Sequence, residues 1–250
     1  MSADTLSRDA RHLALPQIGA EGQQKIGRGT ALLIGVGGIG CAAATYLTSS
    51  GIGRLMLCDF DTVDETNLGR QVLYGPGNIG ELKAEVAASR LRKVNPDVDV
   101  ISIPLRLTDS ALAEAVDRAD VVLDGCDNFS TRFQVNDACV TARRRLITGS
   151  AIRFEGQLAV FGPNYSESPC YRCLYVEADE SLGNCAGNGV LAPVPGVIGT
   201  IMAAEALKYL AGVDAAAPIL RLYDAAATEF RHLAIRKRSD CPACSVNASP

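Results

Sequence analysis

Four of the nine cysteines in this 250-residue chain form two CxxC pairs, Cys170–Cys173 and Cys241–Cys244. Thiolates in such pairs are typical of a tetrahedral structural zinc site, in which the protein supplies all four ligands. The long segment between the pairs leaves an alternative, in which one pair is redox-active and the other is a coincidence.

The remaining five cysteines divide into two groups. Cys185 lies in a glycine-rich segment outside the CxxC pairs, so it is either a candidate nucleophile or an incidental loop cysteine. The others fall on apolar segments, where the thiol is expected to pack as a small buried hydrophobe. They are Cys41, Cys58, Cys126 and Cys139.

A glycine-rich motif lies between an apolar run at 30–36 and a helical pattern that extends to Ser50. Its glycines are Gly35, Gly37, Gly38 and Gly40. A loop of this form directs backbone N–H groups from a helix N-terminus towards a phosphate. Asp59 ends the next apolar segment, where a carboxylate can hold ribose hydroxyls. The motif therefore predicts nucleotide binding, with NAD or FAD as the default ligand.

Polar residues that follow the second and fourth predicted strands argue against that default. After the second strand come Asp61, Asp64, Asn67, Arg70, Gln71 and Lys83, and after the fourth come Asp127 and Asn128. Two cations, Arg70 and Lys83, suit a triphosphate. An aspartate such as Asp127, at the carboxyl end of a strand, can hold Mg²⁺. Together these residues favour ATP with Mg²⁺ over NAD.

The elements that must position these residues alternate between strand and helix over the first 150 residues. This pattern predicts an α/β fold with a Rossmann-like, mostly parallel sheet flanked by helices. Strand patterns at 152–161 and 219–235, bent at Gly156 and Asp224, predict antiparallel additions to that sheet, with a helix at 196–210 between them. We expect one domain over 1–250, with an N-terminal arm (1–28), a nucleotide-binding half (29–150) and a half that carries the zinc site and binds a partner (151–250).

Composition and charge exclude several classes of protein. The net charge is −4 and the isoelectric point is near 5.3, so a broad nucleic-acid-binding surface is not expected. The first residues contain no apolar core of a secretory signal. The apolar stretch 190–210 is interrupted by Pro193, Pro195, Glu205 and Lys208, which argues against a membrane span. We expect a cytoplasmic protein whose thiols stay reduced.

The assembled motifs resemble those of the ThiF/MoeB adenylyltransferases, bacterial relatives of ubiquitin-activating enzymes. The resemblance covers nearly the whole chain. It rests on Arg11-His12, Gly22-Gln23, the glycine motif at 35–40, the segment 59–63, 67–71, Lys83, Asn95-Pro96, 124–128, 170–173, 189–193, 196–200, 205–208 and 241–244.

The resemblance implies an enzyme that adenylates the C-terminal Gly-Gly carboxylate of a small ubiquitin-like sulfur carrier. Asp59 would contact the ribose, Asp127 would take Mg²⁺ with Asn128 beside it, and the four CxxC cysteines would bind Zn²⁺. The residues implied to approach the phosphates are Asn67, Arg70, Gln71 and Lys83. Arg11 would reach into the ATP site of a second subunit, which implies a homodimer. Cys185 matches the position of a covalent link to the carrier in the thiamine branch.

The pathway is less sharply indicated than the family. Asn184-Cys185 resembles the thiamine branch, whereas 151–156, 191–193 and Tyr223-Asp224 resemble the molybdopterin branch. Thiamine biosynthesis with a ThiS-like carrier is slightly favoured over a MoaD-like carrier, with a cysteine desulfurase or rhodanese-type sulfur donor. Two other functions stay open: an NAD-dependent oxidoreductase on the same glycine loop, and a non-catalytic module that binds a ubiquitin-like protein.

Overall fold

The computed structural model describes residues 8–176, 188–213 and 218–245. Its strands form one eight-stranded sheet in the order β3-β2-β1-β4-β5-β6-β7-β8. They are β1 Thr30–Ile34, β2 Arg54–Cys58, β3 Asp99–Ile103, β4 Val121–Asp124, β5 Arg145–Ile152, β6 Glu155–Phe161, β7 Ile219–Asp224 and β8 Glu229–Ala234. The strands β1 to β5 pair in parallel, and β6, β7 and β8 continue the sheet antiparallel. The predicted α/β fold with antiparallel C-terminal strands is confirmed.

Helices cover both faces of the sheet. They are α1 Ala10–Leu13, α2 Gly19–Ile26, α3 Gly38–Ser49, α4 Lys83–Val94, α5 Asp109–Asp117, α6 Phe129–Ala142, α7 Tyr171–Leu174 and α8 Pro193–Ala211. Alternate residues of β1 explain its continuous apolar sequence, since Leu33 packs into the core beside α3, α4 and α8 while Leu32 packs into the core beside α5 and α6. Both side chains are fully buried.

Helix α8 packs closely against α3. A Cβ atom at Gly199 would overlap the carbonyl oxygen of Ile39, so only glycine permits this approach. By length and composition alone α8 could cross a membrane, but 56% of that segment is buried inside the protein. Helix α8 begins at Pro193, earlier than the predicted 196, because prolines are tolerated in the first turn of a helix.

Two predicted strand segments differ in detail from the structure. The expected bend at Gly156 is wrong, because Gly156 lies within β6 and pairs with Ala151 and Tyr223. The reversal occurs three residues earlier, where Arg153 has a φ of 52°. The segment 219–235 is a hairpin of β7 and β8, and the predicted bend at Asp224 marks its turn, since the Asp224 carboxylate accepts the N–H of Ala226 at 2.9 Å.

Candidate nucleotide-binding cleft and metal centre

A cleft opens where the strands β1, β2 and β4 end at the carboxyl edge of the sheet. From β1 the chain adds strands in one direction as β2 and β3, and in the other as β4 and β5. A doubly wound sheet binds its ligand at such a switch point. The cleft has about 1110 Å³ of empty space, including the part open to solvent.

The glycine motif forms the wall of the cleft that belongs to β1 and α3. Gly35 has a φ of 84°, which favours glycine, and a Cβ atom at Gly40 would overlap the Gly35 carbonyl oxygen. Gly37 is the N-cap residue of α3 and has no side chain to cap the helix, so the first turn keeps backbone N–H groups for an anion. Gly35, Gly37 and Gly38 line the cleft, whereas Gly40 lies behind it and permits the tight turn.

Asp59 ties the end of β2 to the glycine motif. One carboxylate oxygen accepts the N–H of Val36 at 2.7 Å and the other accepts the N–H of Asp61 at 2.9 Å. Burial raises the pKa of Asp59, and these two hydrogen bonds together with the charge of Lys83 act in the opposite direction. The carboxylate is therefore held rigidly at the edge of the cleft.

Cationic and amide side chains form the opposite wall. Lys83 is buried at the start of α4, and its ammonium lies 3.1 Å from the Asp61 carboxylate. Arg70 lines the cleft and donates to the carbonyl of Thr66 at 2.9 Å. Gln71 is 4% exposed, and its side-chain oxygen has no hydrogen-bond partner in the described part of the chain. A buried acceptor of this kind needs a donor from outside the protein or from water.

The loop from β4 to α6 brings Asp127 and Asn128 to the cleft. Asp127 is exposed, so its carboxylate is accessible. Asn128 caps α6, because its side-chain oxygen accepts the N–H of Thr131 at 2.8 Å. The side-chain amide nitrogen of Asn128 can still donate a hydrogen bond to a ligand.

A buried network that the sequence analysis missed supports this loop. The Arg132 guanidinium lies 3.6 Å from Asp124 and donates to the Thr148 hydroxyl and the Gly149 carbonyl, each at 2.9 Å. It also donates to the carbonyl of Cys126, directly before Asp127. Burial opposes its charge, but Asp124 raises the pKa of Arg132 overall. The sequence does contain a signal for this network. A carboxylate, Asp124, ends an apolar strand, and an arginine, Arg132, lies one turn into the next helix.

The remaining surface of the cleft is apolar. Its lining includes Ile34, Leu107, Leu112, Val135 and the pair Phe60–Arg106, in which the guanidinium lies 4.1 Å from the ring centroid. Such a surface suits the flat ring of a nucleotide base. The sequence analysis assigned none of these residues to a binding cleft, because their approach depends on packing between distant segments.

Like Gly40, the predicted residues Asn67 and Arg11 are not part of this lining. Asn67 lies beside it, and its carbonyl accepts the N–H groups of Arg70 and Gln71, so it shapes the turn that carries them. Arg11 is exposed on α1, away from this cleft. Cys185 lies outside the described residues.

The four CxxC cysteines form a second site, which we call the cysteine centre. Cys170, Cys173, Cys241 and Cys244 are all buried, and their sulfur atoms lie within 4.8 Å of one another. Burial opposes ionisation of Cys241, but the N–H groups of Cys244 and Ala243 lower its pKa to about 7. Four sulfur ligands at this spacing fit a tetrahedral zinc ion, which supplies a structural link and requires no open coordination position.

Comparison with known proteins gives consistent matches along the chain. The profile of the ThiF family matches residues 10–243. The sulfur carrier protein ThiS adenylyltransferase of Escherichia coli is 45% identical over 244 residues, with 97% of both chains covered. The sulfur carrier protein adenylyltransferase of Thermus thermophilus is 41% identical, with 96% of this chain and 91% of that protein covered.

A longer relative and a solved structure match as well. The mouse adenylyltransferase and sulfurtransferase MOCS3 is 42% identical over 98% of this chain, which spans 54% of that protein. The crystal structure of E. coli MccB with MccA-N7isoASN superimposes with a TM-score of 0.82 over 96% of this chain and 75% of that one. At 24% sequence identity, this likeness supports the fold alone.

Proposed function

This chain belongs to the ThiF family and is a sulfur-carrier protein adenylyltransferase, and we propose that it acts on a ThiS-like carrier in thiamine biosynthesis. The observation that carries the thiamine assignment is its 45% identity to the ThiS adenylyltransferase over 97% of both chains. The molybdopterin pathway is the second candidate, because MOCS3 is 42% identical over 98% of this chain.

The proposed reaction joins the C-terminal carboxylate of the carrier to the α-phosphate of ATP. The carboxylate oxygen forms a bond to the α-phosphorus, the bond from that phosphorus to the oxygen that bridges the α- and β-phosphates breaks, and acyl-adenylate and pyrophosphate are the products. The carboxylate is already ionised at neutral pH, so no general base is needed. The main barrier is repulsion between anions, which the protein lowers by positioning and by positive charge.

The cleft supports this chemistry from two sides. The N-terminus of α3 presents backbone N–H groups, and Arg70 and Lys83 provide positive charge on the facing wall. The buried oxygen of Gln71, which has no partner in the described part of the chain, fits a ligand that brings a hydroxyl donor. The apolar lining would hold the adenine ring, with Asp59 near the ribose.

Asp127 is the proposed ligand for Mg²⁺, with Asn128 beside it. The exposed Asp127 carboxylate offers the oxygen ligands that Mg²⁺ prefers, and the ion would neutralise charge on the phosphates. The cysteine centre would hold Zn²⁺ as a structural ion. Both assignments fit the residues that are present, and both sites are proposals for this chain.

A homodimer is proposed for a geometric reason. The arm that carries Arg11 is tied to the far ends of two helices, since Gln23 donates to the Ser50 carbonyl at 2.9 Å and Arg8 to the Val94 carbonyl at 3.0 Å. Helices α3 and α4 have 12 residues each and begin at the cleft. Each therefore spans about 18 Å. This separation supports the proposal that Arg11 serves the ATP site of another copy of the chain.

The remaining assignments concern partners and organisation. Cys185, outside the described residues, is proposed to form the covalent link to the carrier, with a cysteine desulfurase or a rhodanese-type protein as sulfur donor. We propose that residues 1–250 act as one cytoplasmic adenylation domain.

ATP–pyrophosphate exchange tests the proposal. The purified protein is assayed with a ThiS-like or a MoaD-like carrier, and with the same carriers lacking the last glycine. Exchange with the ThiS-like carrier alone is expected, and exchange with the MoaD-like carrier alone would reassign the pathway. The variant Asp127→Asn is expected to lose exchange and to keep carrier binding, because its carboxamide is a poor ligand for Mg²⁺. Undiminished exchange by this variant would refute the Mg²⁺ assignment.

The two other functions give different results in the same samples. An NAD-dependent oxidoreductase would bind NAD in preference to ATP in calorimetric titrations. A non-catalytic module would bind a carrier without exchange under zinc-replete, reducing conditions.

A further inference from the structure

Lys237 lies against the cysteine centre although it belongs to neither CxxC pair. Its ammonium is 3.1 Å from the sulfur of Cys244 and 3.3 Å from the carbonyl oxygen of the same residue. It also donates to the carbonyls of Tyr165 at 2.5 Å and Ser168 at 3.4 Å. Tyr165 and Ser168 precede the first CxxC pair, so one side chain connects the chain segments that carry both pairs.

The partners of Lys237 distinguish it from the other cations near the centre. Arg172 pairs with the carboxylate of Asp137 at 2.7 Å, and Arg238 pairs with Asp240 at 2.9 Å. In the described part of the chain the hydrogen-bond partners of Lys237 are carbonyl oxygens and one sulfur, with no carboxylate among them. No acidic side chain among these partners therefore neutralises its positive charge.

The charge of the loaded centre gives this contact its significance. Four thiolates and one Zn²⁺ ion carry a net charge of −2. Because the sulfur atoms are buried, water stabilises this negative charge only weakly. Besides the backbone N–H groups at Cys241, the donors on the sulfurs include the Lys237 ammonium on Cys244, the Arg238 backbone N–H on Cys173 at 3.5 Å and the Asn136 amide on Cys170 at 3.7 Å. Lys237 is the one of these three that brings a full charge.

We propose that Lys237 is a positioning and charge-compensating residue of the cysteine centre, which strengthens zinc binding by the protein. The inference rests on the proposed zinc ion and adds a residue outside the four ligands. Partners that hydrogen-bond to metal ligands change metal affinity by about 10- to 100-fold when they are removed. A similar loss is expected here, because the ammonium both contacts a ligand sulfur and links the two chain segments.

The test measures zinc affinity by competition with a chromophoric chelator on the full-length, zinc-loaded protein. Lys237→Met removes the charge and the donors, Lys237→Gln keeps donors without charge, and Lys237→Arg keeps the charge. Arg236→Met is the matched control, because it removes the same charge from an exposed neighbour. We expect a 10- to 100-fold loss for Lys237→Met, a smaller loss for Lys237→Gln and near-native affinity for Lys237→Arg and Arg236→Met.

A second readout separates zinc binding from folding. Thermal unfolding of each variant, with and without zinc, should show a smaller zinc-induced shift in Tm for Lys237→Met than for the unsubstituted protein. The same affinity for Lys237→Met and the unsubstituted protein would overturn the inference, as would an equal loss in Arg236→Met. If Lys237→Met does not fold, native affinity in Lys237→Gln would also overturn the role of charge. No zinc binding by the unsubstituted protein would instead refute the zinc assignment itself, and the inference with it.

Discussion

Replacing Arg132 by methionine should destabilise the protein strongly and impair the Asp127 loop. The side chains of Arg132 and Asp124 are 8% and 1% exposed, so the substitution leaves a carboxylate in the interior without its counter-charge. Removing one partner of a buried pair costs about 3–5 kcal/mol. The lower end applies here, because Asp124 still accepts the N–H of Cys126 and the hydroxyl of Thr148, each at 3.0 Å.

A loss of about 3 kcal/mol corresponds to a decrease in Tm of roughly 6–12 °C for a chain of this size. Chemical and thermal unfolding of the zinc-loaded protein would measure it. Arg54→Met is the control, because Arg54 and Asp99 form a shorter ion pair of 2.7 Å whose side chains are 45% and 52% exposed. Exposed pairs contribute about 0–1 kcal/mol.

The double substitution Arg132→Met with Asp124→Asn should recover part of the lost stability, because the asparagine is uncharged and needs no positive partner. Function should respond as well, since Arg132 holds the Cys126 carbonyl directly before Asp127. We expect Arg132→Met to require more Mg²⁺ for half-maximal exchange. The reasoning is refuted if Arg132→Met costs no more free energy of unfolding than Arg54→Met.

Three further predictions concern the glycine motif, Asp59 and the cysteine centre. Gly40→Ala should cost about 1–3 kcal/mol of stability and weaken ATP binding in calorimetry, because its Cβ atom would overlap the Gly35 carbonyl oxygen. Gly37→Ala should keep its stability, because a Cβ atom there would lie 3.7 Å from its nearest neighbour. Burial raises the pKa of Asp59, so its contribution to stability is complete below its unfolded pKa of 3.8 and decreases as the pH rises. The stability of the protein relative to Asp59→Asn, measured by urea unfolding, should therefore fall from pH 4 to pH 6, and a rise would contradict the assigned shift. Cys170→Ser should lose bound zinc and lower the Tm, and a variant of native Tm without zinc would exclude a structural ion.

The sequence predicts the parallel half of the sheet well for a physical reason. Strands that are buried on both faces must be apolar at consecutive positions, as at Leu32 and Leu33, and such runs are visible without a structure. The polar residues that follow these runs, Asp59 and Asp127 among them, then meet at one edge of the sheet. Their convergence follows from the topology and needs no side-chain detail.

Other features depend on contacts between distant segments and have no local signature. The contact of Arg106 with Phe60 joins residues from loops after β2 and β3. The hydrogen bond from Lys237 to the Tyr165 carbonyl, beside the cysteine centre, joins residues 72 positions apart. The turn at Arg153 was misplaced at Gly156, because glycine indicates both a bend and a close approach, and here Ile198 packs where a side chain would lie.

The glycine motif alone does not distinguish a dinucleotide from ATP, and we propose that the residues after β2 make this distinction. Tyr74 joins the two walls of the cleft, because its hydroxyl is within hydrogen-bond distance of the Val36 carbonyl at 2.8 Å and the Lys83 carbonyl at 3.3 Å. The N–H of Lys83 bonds to the Asp61 carbonyl at 2.9 Å. The glycine loop and the start of α4, which carries Lys83, are thus one hydrogen-bonded unit. We therefore propose that specificity for a highly charged phosphate chain resides in that unit, because the glycines shape the cleft and Lys83 and Arg70 bring positive charge to it.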